Sequence, residues 1–189
     1  MNLSYILRPV EALDILDTDF DEIKTPLNSF SAIIGYLSDK GYVKVAPFGF
    51  DVLSSDGELR EYERNLLNHL DSRNYLEIFN MYNTLDLKEL LHEKGYYTKT
   101  ESKRGLIFKT KKTIYRPTDK LHRVSSELRD IKDYFSENDD LGFEESYMKY
   151  AFPSKVGISC MKQIEDIVSM GRQRFISNNQ FSCFGDCCQ

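Results

Sequence analysis

The chain has 189 residues, of which 41% are hydrophobic and 13% aromatic, enough apolar material for a compact core. Its net charge of −5 excludes a surface that condenses as a whole on nucleic acid or anionic lipid, so any anion binding must be local. No apolar run reaches the ~18 residues of a membrane helix, and the first residues lack the form of a signal peptide. We expect a cytoplasmic protein, either free or peripheral to a membrane.

Helical apolar spacing begins early in the chain. The stripe from Val10 to Leu16 predicts a first helix. Thr18 and Asp21 then form a capping pattern ahead of the next helix. A second apolar stripe opens at Pro26 and keeps helical spacing up to a stop at Gly41. The chain therefore starts as helix, turn, helix.

One short segment occurs twice. Lys40-Gly41-Tyr42 recurs as Lys94-Gly95-Tyr96, a shift of 54 residues from Gly41 to Gly95. In each copy helical spacing gives way to alternation, which is typical of a helix ended by a glycine and followed by a strand. Residues 42–45 and 50–53 predict a short β-hairpin, and residues 96–100 and 106–115 predict a longer one. This repeat predicts two winged-helix-like units.

The segment between the two hairpins is helical by pattern. Ser55-Asp56-Gly57-Glu58 matches a capping box. Behind it comes an apolar stripe that we expect to be buried and to link the units, formed by Leu59, Tyr62, Leu66, Leu67 and Leu70. Residues 75–82 are assigned to a helix, although a buried strand has the same composition. Asn83 or Thr84 is then predicted to cap a helix from Leu85 to Lys94.

Helical spacing returns after the second hairpin. It runs from Leu121 to Phe135, from Phe143 to Ala151 and from Ile158 to Val168. We predict an α+β, mostly helical fold with the following parts: a first winged-helix-like unit (1–73), a second unit with a basic hairpin (74–123), a C-terminal helical layer (124–175) and a disordered tail (176–189). Cys160 is isolated in the sequence, and the other three cysteines lie in the tail. This distribution indicates neither a disulfide framework nor a closed zinc site.

The second hairpin carries a local excess of positive charge, in contrast to the net negative charge of the chain. Nine Lys and Arg residues between positions 99 and 123 face only Glu101 and Asp119. Such a hairpin can lie along a phosphate backbone by releasing condensed counterions. The same pattern also suits an exposed hairpin that its lysines keep soluble and unpaired. The candidate anion-binding residues are Lys99, Lys103, Arg104, Lys109, Lys111, Lys112 and Arg116.

The helices ahead of the hairpins are poor candidates for reading DNA bases. Such a helix normally presents polar and basic side chains at its start. The first unit offers Asn28 and Ser29 but no arginine, and the second offers Asp86, Lys88 and Glu89, which are mixed in sign. Helices of this kind are more typical of a protein-binding scaffold. We expect a protein partner, and leave an anionic membrane surface and nucleic acid as alternatives.

No catalytic, metal or cofactor motif occurs in the sequence. His69, His92 and His122 fall on separate elements, with no further ligand at a metal-binding spacing. The sequence also has no nucleophile elbow, no phosphate-cradling glycine loop and no zinc-protease motif. We predict a non-catalytic protein without a cofactor, and no particular small-molecule ligand is indicated.

Several segments together resemble a known family. Residues 9–16, 40–45 and 59–67 are similar to the cytoplasmic C-terminal region of a family of predicted bacterial membrane proteins of unknown function, and Asp133-Tyr134-Phe135 and Tyr150-Ala151 are similar to its closing helices. A fainter likeness, in helix order and basic hairpin, is to the Golgi phosphoprotein family, which binds a phosphoinositide and the tails of membrane enzymes. Both resemblances imply a non-catalytic interaction module near a membrane. The competing hypothesis is a winged-helix regulator that binds nucleic acid.

Overall fold

The structure, a computed structural model, describes residues 7–20, 26–47, 49–71, 78, 81, 85–104, 110–137, 150–152, 166 and 167. Within these ranges the chain forms five helices and two antiparallel two-stranded sheets. The α+β, mostly helical class predicted from the sequence is confirmed. Among the helices described, none is both long enough and apolar enough to cross a membrane.

The first unit consists of α1 (Pro9–Phe20), α2 (Pro26–Asp39), β1 (Val43–Ala46) and β2 (Gly49–Val52). The two helices pack against each other, and the two strands pair in a short hairpin. The cap predicted at Thr18 is wrong, because Thr18 lies inside α1 and its hydroxyl donates to the carbonyl oxygen of Asp14. Asp21, the other half of that pattern, lies outside the described residues.

The next elements are α3 (Glu61–Asp71), α4 (Lys88–Glu93), β3 (Tyr97–Arg104) and β4 (Thr110–Pro117). The sequence division placed α3 in the first unit (1–73), but α3 begins as α1 does, with an Arg backbone N–H bonded to the Glu three residues later, so we group it with the second unit from here on. The capping box predicted at Ser55 to Glu58 is wrong, since α3 begins only at Glu61. Its first turn is closed instead by Glu63, whose Oε2 accepts the backbone N–H of Arg60 at 2.7 Å. The carboxylate that caps this helix therefore lies five residues later than predicted.

The fourth helix also starts later than its pattern indicates. It was expected from Leu85 but begins at Lys88, where the backbone N–H donates to Oδ1 of Asp86 at 3.0 Å. The expected caps at Asn83 and Thr84 lie outside the described residues. Of the stretch 75–82, only Ile78 and Met81 are described, and both are helical, as predicted.

The C-terminal layer covers the first unit. Its long helix, α5 (Asp119–Glu137), packs against α1. Tyr150 packs against Gly35 of α2, where an added Cβ would lie 2.3 Å from the tyrosine ring, and its hydroxyl donates to Oδ1 of Asp39 at 3.0 Å. Asp166 and Ile167 are helical, whereas the rest of the predicted last helix, the tail and all four cysteines lie outside the described residues.

Both Lys-Gly-Tyr copies end a helix in the same way. Gly41 and Gly95 have φ values of 76° and 79°, in the left-handed region that favours glycine. The N–H of Gly41 donates to the carbonyl of Ser38 and that of Tyr42 to Leu37, the two bonds of a Schellman motif. The same two bonds run from Gly95 and the following tyrosine to residues 92 and 91. The predicted helix-to-hairpin joints are confirmed.

The core lies between the helices of both units. The predicted burial of the α3 stripe is confirmed for Leu66, Leu67 and Leu70, whereas Leu59 and Tyr62 are partly buried against the same cluster. Every residue of α2 from Ser29 to Leu37 is buried. A helix that is buried all round acts as a packing element.

We expect Gly41→Val and Gly95→Val each to lower the free energy of unfolding by roughly 1 kcal/mol or more, because a β-branched residue resists the left-handed region. An added Cβ at Gly41 meets nothing within 4 Å, so the cost there is conformational. Gly41→Asn is the matched control, since asparagine visits this region more readily. Urea unfolding measures all three variants, and equal losses for valine and asparagine at position 41 would contradict the left-handed cap.

Candidate functional site

The base of the long hairpin, formed by β3 and β4, is tied to α4. Lys99 on β3 donates from Nζ to both carboxylate oxygens of Glu89 at 2.9 Å, and the hydroxyl of Tyr115 on β4 donates to the same carboxylate. The hydrogen bonds from Tyr115 and then Lys99 lower the pKa of Glu89. In return, the hydrogen bond to Glu89 raises the pKa values of Tyr115 and of Lys99. Both strands are thus fastened to one side chain.

A second contact fastens the hairpin to the first unit. The hydroxyl of Tyr97 at the start of β3 lies 2.7 Å from that of Thr18 on α1. The Tyr97 ring packs edge-on against Tyr115, with ring centroids 6.3 Å apart, and burial raises the pKa of Tyr97. His92 holds the same joint, because its Nδ1 lies 2.8 Å from the carbonyl oxygen of Tyr97.

The strand register divides the long hairpin into two faces. Directly paired residues share a face, and successive residues alternate between faces. The pairs Thr98–Arg116, Thr100–Ile114, Ser102–Lys112 and Arg104–Thr110 form what we call the cation face. The pairs Lys99–Tyr115, Glu101–Thr113 and Lys103–Lys111 form the anchoring face, which bears the contacts to Glu89. The acidic residue of the described strands, Glu101, therefore lies opposite the cation face.

The predicted anion-binding residues are not equivalent. Lys111, Lys112 and Arg116 are exposed along β4, whereas Lys99 is held in the ion pair with Glu89. Lys109 and the side chains of Lys103 and Arg104 lie outside the described residues. On the cation face, the hydroxyls of Thr98 and Ser102 donate to the carbonyl oxygens of Arg116 and Lys112. The cations of β4 are therefore the side chains that project for contact with an anion.

A buried ion network, which was not predicted from the sequence, joins the two units. The helices α1 and α3 begin alike: Arg8 donates its backbone N–H to Glu11, as Arg60 does to Glu63. The arginine side chains then cross between the helices. Nε of Arg8 lies 3.2 Å from Glu63, and Nε of Arg60 lies 3.5 Å from Glu11. Neither Nε–H is aligned for a hydrogen bond, so both contacts are ion pairs.

Glu11 is the centre of this network, with a side chain that is 0% exposed. Lys94, the last residue before the second glycine joint, donates its Nζ to the same carboxylate. The hydroxyl of Tyr62 donates to Oε1 at 3.3 Å. Arg8 is held further by the carbonyl oxygen of Glu58 at 2.9 Å, and its guanidinium lies 4.6 Å from the centre of the Tyr36 ring.

Burial dominates the acid–base properties of these groups. It raises the pKa of Glu63, against the opposing effects of the Arg60 backbone hydrogen bond and the Arg8 charge. It lowers the pKa of Lys94, against the attraction of Glu11. It raises the pKa of Tyr62, to which the charges of Glu11 and Glu63 add. The network therefore consists of groups that are costly to bury and that compensate one another.

One sequence signal could have indicated the network. Arg8-Pro9-Val10-Glu11 and Arg60-Glu61-Tyr62-Glu63 share an Arg-x-x-Glu pattern directly ahead of an apolar helical stripe. That pattern precedes each Lys-Gly-Tyr copy by a similar distance. The crossing of the arginines, however, depends on how the units dock, which no local pattern specifies.

The described part of the chain holds no group of three or more histidine, cysteine or acidic side chains that could hold a metal ion. Sequence comparisons with protein families and with characterised proteins find no match to this chain.

We expect Glu11→Gln to lower the free energy of unfolding by about 3 kcal/mol or more, because it removes the buried charge that compensates the partly buried cations Arg60 and Lys94. Glu93→Gln is the control, since Glu93 is exposed at the end of α4 and surface changes usually stay within about 0.5 kcal/mol. Urea unfolding at neutral pH compares the two. A loss for Glu11→Gln no larger than that for Glu93→Gln would contradict the central role of this carboxylate.

The raised pKa of Glu63 predicts a pH dependence of stability. A group whose pKa is raised on folding contributes stability that is present below its ordinary value of 4.5 and lost as pH rises through the raised value. The stability of the natural protein relative to Glu63→Gln should therefore fall as pH rises through that window, because glutamine cannot titrate. Urea unfolding of both proteins from acid to neutral pH tests this. A difference that grows with pH would reverse the sign and contradict the burial of Glu63 as its dominant effect.

Proposed function

We propose that this chain is a non-catalytic interaction module that uses the long hairpin to contact an anionic partner. The proposal rests on a difference between the two parts of this hairpin, a base held by contacts and a strand with exposed cations. Its base is fastened through Glu89 and Tyr97, while Lys111, Lys112 and Arg116 are exposed along a strand without an acidic residue. A fixed base with a cationic exposed strand is suited to presenting charge to a partner.

The contacts that hold the hairpin in place indicate that it is ordered before it meets a partner. Helix α4 is held at its C-terminal end by Lys94 and Glu11, and in its first turn Glu89 holds the hairpin. The hairpin thus has a defined position relative to α1. A surface that is already ordered loses less conformational entropy on binding, and so retains more of its contact energy.

The charged groups of the core support a non-catalytic role. Glu11 and Glu63 are 0% and 1% exposed, and cations already neutralise both. A general acid or base must come within hydrogen-bond reach of a substrate, and these carboxylates are enclosed instead. The ion pairs of Glu11 and Glu63 with these cations are consistent with a structural role for both carboxylates.

The candidate reading helices favour this module over a regulator that reads bases. Ser29, one of the two polar residues offered by α2, is 1% exposed, and the helix is buried from there to Leu37. In the second unit Asp86 caps the backbone of α4 and Glu89 is bonded to the hairpin. An anionic membrane, as the family resemblance implies, and a nucleic-acid backbone both remain partners that fit the proposal.

The test is retention of the full chain on two polyanions, immobilised heparin and polyphosphate, at low salt. We expect the natural protein to bind and the triple variant Lys111→Glu/Lys112→Glu/Arg116→Glu to lose binding, because its exposed strand becomes acidic. Salt should weaken the interaction as the screening length falls to about 10 Å near 0.1 M. The matched control, Lys40→Glu/Lys44→Glu/Arg64→Glu, changes the net charge equally at exposed positions elsewhere. An equal loss in the control would attribute binding to net charge and contradict the proposal.

A further inference from the structure

We propose that the partner of the cation face is double-stranded nucleic acid, bound along its phosphate backbone without base recognition; this inference rests on the proposed function of the long hairpin. The register defines this face by the pairs Thr98–Arg116, Thr100–Ile114, Ser102–Lys112 and Arg104–Thr110. It carries two exposed cations and no acidic side chain, since Glu101 lies on the opposite face. Its charge is therefore complementary to a line of phosphates.

The spacing of the two cations suits a linear polyanion. Lys112 and Arg116 lie four residues apart on one strand, about 13 Å at ~3.3 Å per residue. Half-buried Ile114 lies between them on the same face. The neutral hydroxyls of Thr98 and Ser102 donate to the cross-strand carbonyl oxygens of Arg116 and Lys112 and bring no negative charge to the face. The cations can thus contact separate phosphates along one strand of a duplex, in the manner that positions a protein without reading sequence.

The composition of this face argues against a lipid surface. Peripheral membrane binding combines clusters of four to eight cations, or an inserted apolar side, with attraction to anionic headgroups. By register the described strands place three cations on this face, Arg104, Lys112 and Arg116, and a single apolar residue, Ile114, which is not fully exposed. The exposed apolar residue Leu53 follows the short hairpin of the first unit instead.

The aromatic residues argue against single-stranded nucleic acid. Single strands bind through bases stacked on aromatic side chains. Tyr97 and Tyr115 both belong to the anchoring face, where their hydroxyls are bonded to Thr18 and Glu89. No aromatic residue lies on the cation face within the described strands. Base recognition in the major groove is equally unsupported, because α2 is buried and Glu89 is engaged.

The experiment uses the full chain and fluorescence anisotropy with labelled short DNA duplexes of two unrelated sequences, over a series of salt concentrations. We expect equal affinity for both sequences and a linear fall of log affinity with log salt, with a slope of about −0.9 per phosphate neutralised. Lys112→Gln and Arg116→Gln should each reduce the slope by about 0.9. Lys44→Gln is the matched control, an identical charge change at an exposed position on β1 of the short hairpin.

The outcomes separate this inference from the proposed function. Equal effects of Lys44→Gln and Lys112→Gln would overturn the inference, because binding would then follow net charge alone and not the cation face. Tighter binding of single-stranded DNA, or strong sequence preference, would also overturn it. Binding only to phosphatidylserine vesicles or to poly-glutamate would overturn the nucleic-acid partner and leave the proposed function standing. Absence of binding to every polyanion at low salt would overturn both. Thermal unfolding of each variant confirms that these exposed substitutions leave the fold intact.

Discussion

The architecture depends on a carboxylate that water does not reach. Removing an ion from water costs several kcal/mol, so Glu11 is stable in the core only while opposite charge and hydrogen-bond donors surround it. Those partners, Arg60, Tyr62 and Lys94, come from the start of α3 and the end of α4. One side chain on α1 thereby fixes the positions of both helices of the second unit, and with them the long hairpin that follows α4.

The crossing of the arginines gives the two units the character of a symmetric dimer held in one chain. In an isologous interface each contact occurs twice with the partners exchanged, as Arg8–Glu63 and Arg60–Glu11 do here. The symmetry fails at the lysines before the glycine joints. Lys94 reaches Glu11, whereas Lys40 is exposed, with its Nζ 6.0 Å from the Tyr36 ring centre. The hairpin after Lys94 is the longer and the one fastened to its own helix.

Sequence predicted most reliably those features that a few neighbouring residues determine. The joints at Gly41 and Gly95 were predictable because a left-handed residue after a helix has a local signature. The starts of α3 and α4 were misplaced, because acidic residues near several candidate positions offer equivalent caps and only packing selects one. The ion network could not be predicted, since its members are brought together from positions far apart in the chain, such as Glu11 and Lys94, which are separated by 83 residues.

The same limit applies to the candidate site. Sequence identified the cationic segment but could not separate Lys111 from Lys112, because their faces depend on a strand register that the contacts of Tyr97 and Tyr115 hold. A slip of one residue in the pairing of β3 with β4 would move Lys111 and Tyr115 to the other face of the hairpin. Glu101 would then lie on the same face as Lys112 and Arg116. Fastening Tyr115 to Glu89 prevents that slip. The contact that anchors the hairpin therefore also determines which cations can face a partner.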